Sequence, residues 1–241
     1  MPRELFDEHP EYFRMKDTGE RAPDFNFCVS SEEALELFSD RALALAESLY
    51  GSCDNFYFWL DDNRDAKCHC PKCQSLSHSD QQMITINAMI RKIRTKFPKA
   101  KMAYLAYLAT IFPPTAVKAE PGIFMEYAPI AKYTLKDEGD VIENEKRALM
   151  PLMEYFGDEP KRLLEYWYDN SLFSKWKKPP VKFTLDREQM RADMKLFATF
   201  GFDSVATFAC FLGEDYDALY GETDIDPFAR DANEYMSKNA D

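Results

Sequence analysis

The chain has 241 residues, of which 46% are hydrophobic and 15% aromatic, enough for a sizeable core and too apolar for global disorder. Its formal net charge is −12, which argues against a nucleic-acid partner, because phosphate binding needs a basic patch and none is evident. No run approaches the roughly 20 apolar residues of a membrane span, and the opening MPRELFDEHPEYF lacks a secretory signal's basic start and apolar centre, so a soluble cytoplasmic protein is expected.

Six short apolar or aromatic runs punctuate the chain, at residues 26–29, 55–60, 102–108, 122–127, 163–168 and 204–209. None alternates strictly, the pattern of strands buried on both faces of a parallel sheet. After the first run, Ser30 and Glu33 fit a capping box. Leu35, Phe38, Ala42, Leu45, Ala46 and Leu49 then share a helical face, and Gly51 supplies a stop. After the second, Asp80 is suited to cap a helix that buries Ile86, Met89, Ile90, Ile93 and Phe97 and stops at Pro98.

The connection from third to fourth run carries Pro113 and Pro114 and no strong helix. Residues 140–156 are helical in pattern, with Leu149, Leu152, Met153 and Phe156 apolar. Residues 170–184 form a long loop rich in aromatics, either functional or simply packed over the rest. Asp186 and Gln189 open a helix bearing Met190, Met194 and Phe197 and closed by Gly201, and a last helix is expected at 227–236. A βα repeat in one domain over 1–241 has two natural solutions, a doubly wound sheet or a barrel. Six strands fall short of the eight of a closed parallel barrel.

In α/β folds chemistry collects at the carboxyl ends of strands. Asp61 and Asp62 hold that place after the second run, and Glu126 and Tyr127 after the fourth. Tyr168, Asp169 and Asn170 follow the fifth, and Cys210 and Glu214 the sixth. An acidic, aromatic rim suits carbohydrate: ring faces stack on sugar CH surfaces, while carboxylates accept hydroxyl hydrogen bonds and act as acids or bases. The plain alternative for Asp61 and Asp62 is a strand end whose aspartates cap the next turn, with Arg64 as a salt-bridge partner. His9 is either a sugar ligand or a surface histidine ahead of proline. Trp167 and Trp176 divide between core and sugar platform, and Trp59 is assigned to the core.

Six cysteines stand at 28, 53, 68, 70, 73 and 210. In a reducing compartment they are thiols or metal ligands. Cys68, Cys70 and Cys73 form a C-x-C-x-x-C cluster able to converge on one Zn²⁺, with His69, His78 or Cys53 as fourth ligand. The alternative is a metal-free knot of thiols that orders the loop. A redox role is disfavoured, because the cluster does not open a helix after a strand.

The segments HPEYF, FCVSSEEALELF, FYFWLDD with CHCPKC, and AYLAY with its following prolines resemble, in order, the bacterial family called domain of unknown function 4838. That family is similar to the catalytic TIM barrels of hexosaminidase-type and α-glucuronidase-type glycoside hydrolases, in which the HPE segment follows the second strand. The resemblance therefore implies that the six runs are strands three to eight, with two βα units absent. It also implies exposed strand edges open to self-association or to a partner that completes the barrel. By the same likeness, Asp61 orients a substrate's acetamido group and Asp62 is the general acid, the substrate-assisted scheme. Asp61 stands where the family more often has Asn. Glu126, Asp169 and Glu214 would line the site. The implied activity is acid-assisted cleavage of N-acetylhexosamine- or uronic-acid-containing glycans, with no catalytic cofactor and zinc only as structure. Two other outcomes stay open: a non-catalytic carbohydrate-binding partial barrel, and a zinc-stabilised interaction module.

Overall fold

The computed structural model describes residues 1–49, 54–131 and 139–235. Five strands are present among them: β1 (Asn55–Phe56), β2 (Lys101–Ala106), β3 (Ile123–Tyr127), β4 (Lys161–Glu165) and β5 (Ser204–Thr207). The helices are α1 (Glu32–Leu49), α2 (His78–Arg94), α3 (Gly139–Phe156), α4 (Asn170–Phe173), α5 (Arg187–Thr199), α6 (Glu214–Tyr220) and α7 (Asp226–Tyr235). The strands are hydrogen-bonded neighbours in chain order, and β1–β2 and β4–β5 pair in parallel. A doubly wound sheet reverses its order at a switch point, and this one does not. The fold is therefore α/β with the strand order of a partial (β/α) barrel. Among the described residues, no helix is long and apolar enough to cross a membrane.

Of the six expected strands, the first is not one. Phe27 makes only an isolated antiparallel bridge to Phe13, and the Cys28 N–H donates to the Tyr12 carbonyl at 2.9 Å. The apolar character of residues 26–29 serves a small cluster beside α1 rather than the sheet. The second run is strand only at its first two residues. Trp59, expected in the core, leaves 43% of its surface exposed, and Tyr57 leaves 42%.

The chain forms two compact units, Met1–Met125 with Ala148–Glu159, and Glu126–Arg147 with Pro160–Asp241. In the first, α1 begins one residue later than the capping box predicts: Ser31, not Ser30, accepts the Ala34 N–H, at 3.3 Å. Its buried side is narrower too, built on Ala34, Ala42 and Ala46, while Leu45 and Leu49 face solvent. The stop expected at Gly51 lies outside the described residues. The α2 helix buries Ile86, Met89, Ile90 and Ile93 as its periodicity predicts. Its N-cap is Ser77 and not the expected Asp80, which lies inside the helix at the third position and completes a capping box. Gly122, at φ 80°, admits the tight entry to β3, and a Cβ there would meet the Arg94 guanidinium at 2.5 Å.

In the second unit, Met190, Met194 and Phe197 of α5 pack inward as expected, and Asp186 caps that helix by accepting the Gln189 N–H at 3.0 Å. Trp167 is core: its indole N–H donates to Asp193 at 2.9 Å. Trp176 is 67% exposed. The last helix starts at Asp226, and the expected end at Met236 lies outside the described residues.

Asp80 does more than cap. Only 1% exposed, it accepts the Ser77 N–H and hydroxyl, and through Oδ1 the N–H groups of Thr115 and Ala116 at 2.8 Å each. It thus ties the loop after β2 to α2. Asp80→Ala should cost about 2–4 kcal/mol, a lost cap plus two orphaned amides, read from urea unfolding. A loss below about 1 kcal/mol would mean that the loop is held by other contacts.

Candidate metal centre

Four cysteine sulfurs meet in the first unit. Cys28, Cys68, Cys70 and Cys73 are all buried, and their Sγ atoms lie within 4.8 Å of one another. Cys28 Sγ is 3.6 Å from that of Cys70 and 4.0 Å from that of Cys73. These residues could hold a metal ion, and among the described residues the fourth sulfur is Cys28. Of the fourth ligands expected from spacing, His69 instead places Nε2 3.0 Å from Asp65. His78 opens α2 outside the sulfur group, and burial lowers its pKa. Cys53 lies outside the described residues.

The backbone is arranged around the sulfurs. The Met15 N–H donates to Cys68 Sγ at 3.3 Å, and the His69 N–H returns to the Met15 carbonyl at 2.8 Å. Ser30 Oγ sits 3.2 Å from Cys28 Sγ and 3.5 Å from Cys70 Sγ. Gln81 of α2 grips the loop from below: its Oε1 accepts the Cys68 N–H, and its Nε2 donates to the carbonyls of Cys68 and Cys73. Hydrogen bonds from Cys68 and Cys73 hold Cys28 far below the ordinary thiol range, while Cys28 pushes Cys68 up to about 11 and raises Cys73 further.

A buried arginine adds a second fastener. Arg14, 3% exposed, makes a two-pronged pair with Asp24 at 2.7 and 2.8 Å and donates to the Asp65 carbonyl at 2.7 Å. The N-terminal segment is thereby joined to the loop after β1 twice, by sulfur and by guanidinium.

That loop begins with the expected acids. Asp61 and Asp62 are exposed, and the Asp61 N–H donates to Asn26 Oδ1 at 3.1 Å. His9 is half-exposed, stacked on Tyr12 with ring centroids 4.5 Å apart and 3.1 Å from Glu11. The remaining predicted residues belong to the second unit and mostly serve its interior. Glu126 is buried on β3. Tyr127 donates to the Glu145 carbonyl at 3.0 Å, and burial pushes its phenol well above the usual range. Tyr168 donates to the Asp224 carbonyl, and Asp169 caps α4 by accepting the Ser171 N–H and hydroxyl. Asn170 donates to the Val181 carbonyl, and Glu214 is exposed in the first turn of α6. Cys210 has its thiol raised by burial and by Asp169.

Sequence reasoning missed Cys28, Arg14 and Gln81. Only Cys28 carried a signal: three clustered thiols lacked a fourth soft donor, and a further cysteine stood in an apolar run. A family model described as Domain of unknown function (DUF4838) matches residues 1–208. No curated protein and no solved structure matches the chain.

The Arg14 hydrogen bonds lower the Asp24 pKa from 3.8 to about 2. A carboxylate whose folded pKa lies below its unfolded one stabilises the fold fully above the unfolded value and stops doing so as pH falls through the folded one. Asp24→Asn should therefore be less stable than the parent at neutral pH, with the two urea midpoints converging between about pH 4 and pH 2. Midpoints that stay parallel across that window would remove Asp24 from the pair's energetics.

Proposed function

The chain belongs to the domain of unknown function family DUF4838, and we propose that it acts on glycans through the acidic segment that follows β1. One observation carries this reading: Tyr57, Trp59, Asp61 and Asp62 are all solvent-facing within six residues after a parallel strand. Carboxyl ends of parallel strands are where such folds place chemistry. Exposed rings offer stacking faces to a pyranose, and neighbouring carboxylates offer a proton donor and an orienting acceptor.

In this proposal Asp62 protonates the leaving glycosidic oxygen and Asp61 orients the acetamido group of an N-acetylhexosamine, which itself attacks the anomeric carbon. Uronic-acid glycans are the alternative substrates. The four sulfurs are read as a structural zinc site. Four thiolates fill a tetrahedral shell and leave no open position for water, so the metal shapes the loop and the acids carry the chemistry. Zinc is not needed as a catalytic cofactor in this scheme.

A second reading, a glycan-binding protein without hydrolysis, is favoured by a different observation. Tyr168, Asp169 and Asn170 spend their hydrogen bonds on the second unit's own backbone and side chains. Asp169, engaged by the Ser171 N–H and hydroxyl of its own helix cap, is thereby taken out of use as a further catalytic carboxylate.

Asp62→Asn should reduce turnover of aryl N-acetylhexosaminides or aryl glucuronides by about 10²–10⁴-fold with unchanged circular dichroism and melting temperature. Equal turnover in variant and parent would rule Asp62 out as the acid. Calorimetric binding of oligosaccharides by a parent that hydrolyses none of them would select the second reading. Neither binding nor hydrolysis would end the glycan proposal.

A further inference from the structure

We propose that Cys28, Cys68, Cys70 and Cys73 bind a single tetrahedral zinc ion that clasps the N-terminal segment onto the loop after β1 and so fixes where the acidic segment sits. This deepens the structural-zinc reading above and is independent of any glycan activity.

The sulfur spacing is the first argument. A zinc ion with Zn–S bonds of about 2.3 Å has neighbouring sulfurs about 3.8 Å apart. Cys28 stands at 3.6 and 4.0 Å from two of its partners, and no pair of sulfurs in the group exceeds 4.8 Å. That is one ion's coordination shell, too tight to enclose a multinuclear iron–sulfur cluster. A disulfide would need about 2.05 Å, so the four are spaced as ligands and not as bonded pairs. An all-sulfur tetrahedral donor set selects zinc, with iron its main competitor.

The surroundings answer the charge problem. Four thiolates around Zn²⁺ leave a net charge of about −2, which burial penalises unless donors face the sulfurs. The Met15 N–H and the Ser30 hydroxyl do so. Arg21 adds a cation. Its charge faces the sulfurs of Cys28, Cys68 and Cys70. Its guanidinium is held in place by the Phe13 carbonyl at 2.5 Å and the Glu11 carbonyl at 3.2 Å.

The third argument is what the cluster lacks. Its buried members are Phe27, Cys28, Val29, Ala34, Cys68, Cys70 and Cys73, so four of seven are cysteines and only Phe27 is large. Partly buried side chains, among them Tyr12, Leu35 and Phe38, pack against this nucleus, but its own buried members bring little apolar area beyond Phe27, so a bound ion would add to its cohesion. Asn26, two residues before Cys28, accepts the Asp61 N–H, which carries the clasp's position directly to the acids.

The test uses the full chain purified without added metal. Elemental analysis should give one zinc per chain, unchanged in Cys210→Ser and lost in both Cys28→Ser and Cys70→Ser. Chelation of the parent protein should open cleavage sites before residue 31 and within residues 57–67 in limited proteolysis mapped by mass spectrometry, and zinc addition should close them again. The chelation arm keeps the proposal testable even if the cysteine variants fail to fold. One iron per chain, stoichiometric zinc retained in Cys28→Ser, or a metal-free parent whose N-terminal segment resists protease would each overturn it. None of these readouts measures glycan turnover, so this proposal and the assignment of Asp62 can fail separately.

Discussion

The N-terminal part of the first unit is organised around a convergence of sulfur. Where an 18-residue helix, α1, and the loop after β1 meet the N-terminal segment, four of the seven buried side chains are cysteines, with partly buried residues such as Leu35, Phe38 and Leu76 packed around them. Thiols are small and among the most readily buried side chains, so they pack acceptably as hydrophobes. Packed that way they bring little transfer energy, since burial scales with apolar area. Soft donors aimed at one point make up the shortfall if they hold an ion. Two further fasteners hold the same place: Gln81 reads two loop carbonyls, and Arg14 spans the N-terminal segment and the Asp65 carbonyl.

The second unit solves its packing differently. There, large apolar side chains do the work: Tyr127, Phe197 and Phe202 surround one another with ring centroids 5.2–6.1 Å apart. Several buried polar groups are paired one to one, as where Trp167 donates to Asp193 or where Arg187 makes two 2.9 Å hydrogen bonds to the buried Asp231. Removing such a carboxylate would strand its donors, so these pairs fix geometry more than they add net stability.

How much of this was readable from sequence follows from the range of each interaction. Helices α2 and α5 were legible because their buried residues recur with helical spacing, and the α5 cap at Asp186 was read correctly, whereas the α2 cap is Ser77, three residues before the expected Asp80. The α1 cap was misplaced by one because Ser30 and Ser31 are equally plausible neighbours, and only the structure shows Ser30 engaged with Cys28 and Cys70. The strands were overestimated in length since apolar character continues past the ladder: Tyr166 to Tyr168 are buried, but the chain turns there, with the Asp169 N–H returning to Tyr166. Cys68, Cys70 and Cys73 were legible as a group because six residues hold them all. Cys28 was not, because its role depends on a long-range meeting, and its neighbours Phe27 and Val29 gave it the look of a strand residue.

Cys28 precedes Cys70 by 42 positions. A chain made from its amino end therefore delivers the lone sulfur well before the trio it joins, and closing the intervening loop carries an entropic cost that grows only slowly with length. The C-x-C-x-x-C loop needs no such closure, since its three thiols are always near one another. The trio is thus local in sequence, whereas Cys28 reaches it only by closing a loop of 42 positions, so any crosslink through the sulfurs restricts the unfolded chain chiefly through that one residue.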